Sequence, residues 1–272
     1  MNSARLAKLA RVIRSTRLTR ALLYYRVAAG TEHQSVLTRD LTTVIDIGAN
    51  RGQFALAVRT WAPGARIISF EPLPGPSSVF RKIFANDDHV LLYQTAIGPQ
   101  LGPRKIHISR RDDSSSLLPI SSVQKAAFPG TAEVATINVP VGPLSEFVRV
   151  DEIKQHAMLK LDVQGFEYEA LLGCQSLLSR FQWVYCECSF IELYSGQKLA
   201  ADVISLLGNQ GFSLDDILNP VYSKAGRCIQ ADLLFTRSLP RATGNDSPYA
   251  MATEVADKCP SPRQLNTPID RS

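Results

Sequence analysis

From residue 41 onward, short apolar runs alternate with longer stretches of helical period. Thr43 to Ile47 is apolar, β-branched and closed by Gly48, the signature of a buried strand. Residues 52–62 then take a helical period. Arg66 to Phe70 is a second strand ending at Glu71-Pro72, and Pro74 to Asn86 suits a second helix. Further strands are predicted at Val90 to Ala96, Ala157 to Asp162 and Gln182 to Cys188, with two more near Phe212–Leu218 and Ala231–Thr236. A helix runs on from the Asp162 strand to about Ser179, and another lies near Ala200–Asn209. Strands that read as continuous apolar runs between helices are buried on both faces, so an α/β fold with a mainly parallel, seven-stranded sheet is expected. Between Lys105 and Val141 the runs are shorter and Ser and Pro are frequent, which predicts an inserted hairpin and a loop.

Three zones follow: a basic helical segment over 1–40, a catalytic-size domain over 41–237, and a tail over 238–272. The tail carries five prolines and no periodicity, which predicts disorder. On a helical wheel, residues 5–14 put Arg5, Lys8, Arg11 and Arg14 on one side and Leu6, Leu9, Val12 and Ile13 on the other. Beyond them the basic face rotates, so that Arg17 and Arg20 drift onto the apolar side. Such a helix suits the surface of an anionic membrane, and equally a docking site on the domain itself. Its arginines interrupt any secretory h-region, and no cleavage signal follows.

Charge sharpens this division. The chain of 272 residues has a formal net charge of +5, yet residues 1–31 hold seven bases and no acid. The remainder has 23 bases against 25 acids, with no excess to grip a nucleic-acid backbone. A hydrophobic fraction of 45% with 20% charged residues is that of a globular protein, and no apolar run reaches the roughly 18 residues of a membrane span. The odd cysteine count (Cys174, Cys186, Cys188, Cys228 and Cys259) and the absence of a partnering His read as buried thiols in a reducing, cytoplasmic setting.

The informative chemistry sits at strand ends. In Asp46-Ile-Gly-Ala-Asn-Arg-Gly-Gln-Phe54 an acid closes a buried strand and glycines precede a helix, so the backbone can approach a ligand closely. Asn50 stands where a dinucleotide fingerprint would need its second glycine, which disfavours a nicotinamide oxidoreductase. Glu71, at the end of the next strand, is placed to accept the two hydroxyls of a ribose. Asp162 closes another apolar strand ahead of Gly165 and Glu167, and Glu187 closes the one after it. The two carboxylates, facing one pocket, suit either a divalent cation or a general base acting on a hydroxyl. Glu167 also reads as a favourable charge in the first turn of a helix.

Together, Val44 to Phe54, Phe70-Glu-Pro72, Thr95-Ala-Ile-Gly98, Ser114-Ser-Ser-Leu117, Lys160 to Glu167, Tyr194-Ser-Gly-Gln197 and Asp232-Leu-Leu-Phe235 resemble the FkbM-type methyltransferases, in order, over roughly residues 43–236. The resemblance implies the Rossmann-like class I methyltransferase fold, S-adenosylmethionine as cofactor, and O-methylation of a hydroxyl on a sugar, glycolipid or related natural product. Carried over by motif, Asp46, Gly48, Asn50 and Gly52 line the methionine side and Glu71 holds the ribose. Ala96 and Ile97 follow the third strand beside the adenine, while Ser115 and Ser116 lie in a loop over the cofactor. Asp162 faces the sulfonium and the acceptor, with Glu187 as its helper; a metal on this pair is left open. Gln164 receives no catalytic weight.

A sugar hydroxyl is a poor nucleophile, so a base or metal should assist it. Of the four histidines, His33, His89, His107 and His156, either His107 in the insertion or His156 before the Asp162 strand could be a base, although an isolated exposed histidine is the better reading of both. The rival readings are a different nucleotide-cofactor enzyme and a non-enzymatic membrane-surface adaptor that keeps the fold. Retention of Asp46, Glu71 and Asp162 argues against a decayed site.

Overall fold

The computed structural model describes residues 16–237. Residues 1–15 and 238–272 lie outside the described part, and with them the wheel drawn over 5–14 and the proline-rich tail.

Strands β1 (Thr43–Ile47), β2 (Arg66–Phe70), β3 (Val90–Tyr93), β7 (Ala157–Leu161), β8 (Trp183–Ser189), β9 (Phe212–Tyr222) and β10 (Cys228–Arg237) form one seven-stranded sheet. Its order is β3-β2-β1-β7-β8-β10-β9. The first five strands run parallel, and β10 pairs antiparallel with both β8 and β9. The chain steps outward from β1 to β3 and then returns to the other side of β1 as β7. This reversal opens a crevice beyond the carboxyl ends of β1 and β7, where ligands of doubly wound sheets bind.

Strand alternation loads both faces. Ile45, Ile47, Phe70, Leu159, Leu161 and Cys186 point to one side. There they pack on the helices Glu167–Cys174 (α6) and Ala200–Asn209 (α7) through Ala170, Leu171, Val203 and Leu207. Val44, Ile67, Met158 and Tyr185 point to the other, against the helices Gln53–Trp61 (α3) and Pro74–Ile83 (α4). Both cores are mainly apolar, as a sheet covered on both faces requires, but the second also buries Asp46 and Lys160, the latter over the Phe54 ring.

The expected seam at residue 40 falls inside the second core. Leu18 and Ala21 of the helix Thr16–Tyr25 (α1), then Val27, Ala29, Val36 and Leu37, are buried beside Val44 and Phe54. The last two belong to the short helix Gln34–Leu37 (α2). On the outer side of α1, Leu23 and Tyr24 are 71% and 77% exposed. Among the described residues, no helix is long and apolar enough to cross a membrane.

The third expected strand divides. It leaves the large sheet after Tyr93, and Ala96–Ile97 (β4) joins a second sheet. That sheet has the order β4-β6-β5, its antiparallel pair being Gly102–Ser109 (β5) and Glu133–Gly142 (β6). This is the predicted insertion, with one more strand and a helix, Ser122–Ala127 (α5), capped by the Ser121 hydroxyl. It keeps a small core of its own in Leu73, Ala96, Ile106, Val139 and Val141.

Candidate functional site

Gly48 follows β1 at φ +80°, where an added Cβ would come within 1.8 Å of the Asp162 carbonyl oxygen. Only glycine fits, and the two strand ends therefore run in contact. The amides of Gly48 and Ala49 both donate to the Phe70 carbonyl, and Asp162 N donates to that of Ile47. The ends of β1, β2 and β7 are thereby tied into one rim. Behind that rim lies a cavity of about 260 Å³. Its apolar lining includes Phe70, Ala96, Ile97, Ile106 and Leu117, and its polar lining His33, Asn50, Lys160, Asp162 and Gln164.

Glu71 joins the polar lining, through Asn50, to Leu73 of the small apolar core. Its carboxylate accepts from Asn50 N at 2.9 Å and from Leu73 N at 2.8 Å. A carboxylate has about four acceptor sites, so two remain for ligand hydroxyls. Burial raises its pKa to about 7, against the two amides and Lys160, which favour the charged form.

Lys160 is the cation of the cavity lining and is buried. Its Nζ lies 3.1 Å from Asp46 Oδ1 and 3.9 Å from Asp162 Oδ2, and donates to the Gly48 carbonyl at 3.0 Å. The ammonium also sits over the Phe54 ring, 5.5 Å from its centre. Burial alone would lower its pKa; the charges of Asp46 and then Asp162 outweigh that and hold it protonated.

Gly48, Asn50, Glu71, Ala96, Ile97, Ser115, Ser116 and Asp162 line the cavity. Asp46, Gly52 and Glu187 do not. Strand alternation turns Asp46 to the face opposite Ile47, where it is fully buried, its ion pair with Lys160 standing in for aligned hydrogen-bond donors. Gly52, at φ +96°, caps α3 against the rings of Phe80 and Phe84.

Glu187 is separated from the cavity by Gln164. The Gln164 amide nitrogen donates to Asp162 Oδ1 at 2.8 Å and to Glu187 Oε2 at 3.2 Å, while its oxygen accepts from the Tyr194 hydroxyl at 2.8 Å. Gln230 donates to the other Glu187 oxygen at 2.7 Å. Burial and the neighbouring Asp162, Asp232 and Glu167 charges push the Glu187 carboxyl well above the usual carboxylate range. With an amide donor wedged between the two acids, this donor set does not suit a divalent cation. Among the described residues, no three His, Cys, Asp or Glu side chains converge as metal ligands.

A profile described as the methyltransferase FkbM domain matches residues 46–214. The chain belongs to the FkbM methyltransferase family. Its relatives include the 2-O-methyltransferase NoeI of Sinorhizobium fredii (strain NBRC 101917 / NGR234), 28% identical over 180 residues that cover 64% of this chain and 74% of that protein. Methyltransferase 1 of Beauveria bassiana (strain ARSEF 2860) is 26% identical over 189 residues, with the same coverage of both chains. The solved magnesium protoporphyrin IX methyltransferase ChlM of Synechocystis PCC 6803, crystallised with bound SAM, is similar at 13% identity and a TM-score of 0.42, over 88% of this chain and 98% of that one.

Within this FkbM domain, Lys160 and Gln164 are the site residues that motif reading passes over, although both stand inside the Lys160–Glu167 segment. His107 and His156 are elsewhere. His107 pairs with Glu133 at 2.8 Å across β5 and β6. His156, ahead of β7 at the far end of the sheet, faces Asp40 and the Trp183 ring.

Proposed function

We propose that this FkbM-family chain is an S-adenosylmethionine-dependent O-methyltransferase acting on a hydroxyl of a sugar, glycolipid or related natural product. The observation that carries the reading is the cavity at the sheet's reversal point, with Glu71 bonded on one side to the polar Asn50 and on the other to Leu73 of the small apolar core. That sequence of surfaces suits an adenine, a ribose and an amino-acid tail in turn. The name of the relative NoeI supports oxygen as the methylated atom.

When bound, the cofactor supplies a methyl group on a sulfonium, open to in-line displacement. The chain's own residues bind and orient. Phe70, Ala96, Ile97 and Leu117 would flank the adenine, with Ser115 and Ser116 closing over it. Glu71 would accept the ribose hydroxyls. The backbone from Gly48 to Asn50 would take the methionine tail, with Lys160 beneath. Asp162, its side chain 40% exposed, is the carboxylate placed to accept a hydrogen bond from the acceptor hydroxyl and orient it. Glu187 would stiffen Asp162 through Gln164.

Calorimetric titration of the protein with S-adenosylmethionine and S-adenosylhomocysteine, beside a Glu71→Ala variant, tests the reading. Micromolar binding weakened by the variant is expected. Absence of binding by folded wild type overturns it and favours the adaptor. A screen of methyl glycosides with radiolabelled S-adenosylmethionine then identifies the acceptor class.

The confinement of excess positive charge to residues 1–31, together with the outward Leu23 and Tyr24, supports a membrane-facing role for the N-terminal segment. Equal binding to anionic liposomes by the full chain and by a chain lacking residues 1–15 and carrying Leu23→Ser and Tyr24→Ser would refute it.

A further inference from the structure

Methyl transfer to a hydroxyl releases a proton, and an aspartate is ordinarily a weak base for it at neutral pH. Imidazole is better matched. One histidine forms part of the cavity wall. His33 ends a short 3-10 turn, Thr31–His33, held to α3 by Gly30 N donating to the Gln53 carbonyl. Its ring meets Phe54 and Tyr185 edge-on, with centroids 5.1 and 5.6 Å away, and its side chain is only 17% exposed.

The hydrogen-bond pattern behind the ring fixes where its proton sits. His33 Nδ1 is 2.9 Å from the Tyr185 hydroxyl oxygen. That hydroxyl is 2.6 Å from Asp232 Oδ2. The Asn219 amide donates to the same Asp232 oxygen at 2.8 Å. Tyr185 has one hydrogen and two candidate acceptors. The ionised and nearer carboxylate takes it. Nδ1 must then carry a hydrogen and donate to the tyrosine oxygen. A neutral imidazole protonated at Nδ1 has its lone pair at Nε2. Nε2 lies on the ring edge away from Tyr185, toward Glu32, whose Oε1 is 3.7 Å off and which also lines the cavity.

Two electrostatic facts agree. Burial, aided by Lys160, keeps the His33 pKa below its ordinary value, although Glu32, Asp232 and Asp162 pull it upward. Burial and the Asp232 charge push the Tyr185 phenol far upward, so it remains a donor.

We propose that His33 is the catalytic base of the methyl transfer, taking the acceptor's proton at Nε2, with Tyr185 and Asp232 as positioning residues that set its tautomer. The inference rests on the methyltransferase reading above. The acceptor O–H bond breaks and its proton forms the Nε2–H bond. The acceptor oxygen bonds the methyl carbon, and the methyl–sulfur electron pair stays on sulfur as the thioether of S-adenosylhomocysteine. One positive charge passes from the sulfonium to the imidazolium, where Glu32, Asp162 and Asp232 offset it while Lys160 opposes it. Asp162 orients the hydroxyl.

The test uses the full chain labelled with 15N in its imidazoles. Only four histidines are present, so single His→Gln variants assign the spectrum. At neutral pH, His33 should be neutral and of the Nδ1–H form, with a midpoint below that of a free imidazole, and Tyr185→Phe should bring in the Nε2–H form. His33→Gln should still bind S-adenosylhomocysteine in the calorimeter, with a loss in affinity much smaller than its loss in kcat. Its kcat toward a methyl glycoside acceptor should fall by about 100-fold or more with little change in KM. The acidic limb of the wild-type kcat profile should follow the His33 midpoint read by NMR. An Nε2–H tautomer, a protonated His33 at neutral pH, or a His33→Gln enzyme that keeps its kcat overturns the inference. Those results with S-adenosylhomocysteine still bound would leave the methyltransferase reading standing. Loss of that binding by wild type would sink the reading itself. If His33→Gln fails to fold, the wild-type tautomer and Tyr185→Phe decide.

Discussion

The pKa of about 7 at Glu71 makes binding of a ribose-bearing cofactor a proton-linked event. The free carboxyl is held half-protonated near neutrality by burial, against two backbone amides and Lys160. A diol that donates hydrogen bonds to the carboxylate favours the charged form, so binding expels the proton. With a free-state pKa of about 7, the proton released is about 0.9 per site at pH 6 and about 0.1 at pH 8. The dissociation constant should therefore be roughly tenfold weaker at pH 6 than at pH 8, about 1.4 kcal/mol. Calorimetry in two buffers of different ionisation enthalpy reads the released proton directly. Glu71→Gln should abolish both the release and the pH dependence, because an amide cannot titrate. Tight binding with no proton release at pH 6, or release that persists in Glu71→Gln, would refute the assignment of the ribose to Glu71.

Other consequences can be checked together. Lys160→Met leaves Asp46 buried and uncompensated, and should cost about 3–5 kcal/mol in urea unfolding, most of it restored in the double variant with Asp46→Asn. Gly48→Ala carries about 1–2 kcal/mol of left-handed strain before its overlap with the Asp162 carbonyl is counted, and should abolish cofactor binding at a measurably lower melting temperature. Glu167 is a buried carboxyl whose pKa rises from 4.5 to about 7 on folding, through burial opposed by the amides of its own turn. The folded state holds the extra proton, so stability falls as pH rises from about 4.5 to about 7. Thermal melts across that range should show the decline, and Glu167→Gln should make it shallower, Glu71 and Glu187 supplying the remainder.

The strands flanking the crevice are readable from sequence because burial on both faces leaves uninterrupted apolar runs, and their ends coincide with Gly48, Glu71 and Asp162. The split of the third strand is not, since Gln94 and Thr95 interrupt its pairing without an apolar break. Nor is the burial of residues 18–41, where the basic pattern dominates the reading while Leu18, Ala21, Val36 and Leu37 supply the contacts. In the site, a motif read as a contiguous unit puts Asp46 beside Gly48. The two-residue period of a strand turns Asp46 to the opposite face instead. Glu187 lies inside its strand, which runs on to Ser189, and a side chain from a left-handed turn, Gln164 at φ +56°, stands in front of it. His33 has no local signal at all. Its neighbours Tyr185 and Asp232 are distant in sequence, and only the packing of the 3-10 turn brings them together.

The inserted sheet divides the labour of the cavity wall. Ile47, Phe70, Ile97 and Phe166 belong to the large core, so a change in any of them alters the cavity and the molecule's cohesion at once. Ile106 belongs to the small core, while the Ser115 and Ser116 hydroxyls accept from Ser109 N and Leu118 N within the insertion, and all three line the same cavity. One half of the wall is thus tied to the main core, and the other answers only to the insertion's own packing and hydrogen bonds. Sequence drift among proteins of this architecture should therefore reshape the cleft from the insertion side, leaving the strand ends that hold it in register untouched.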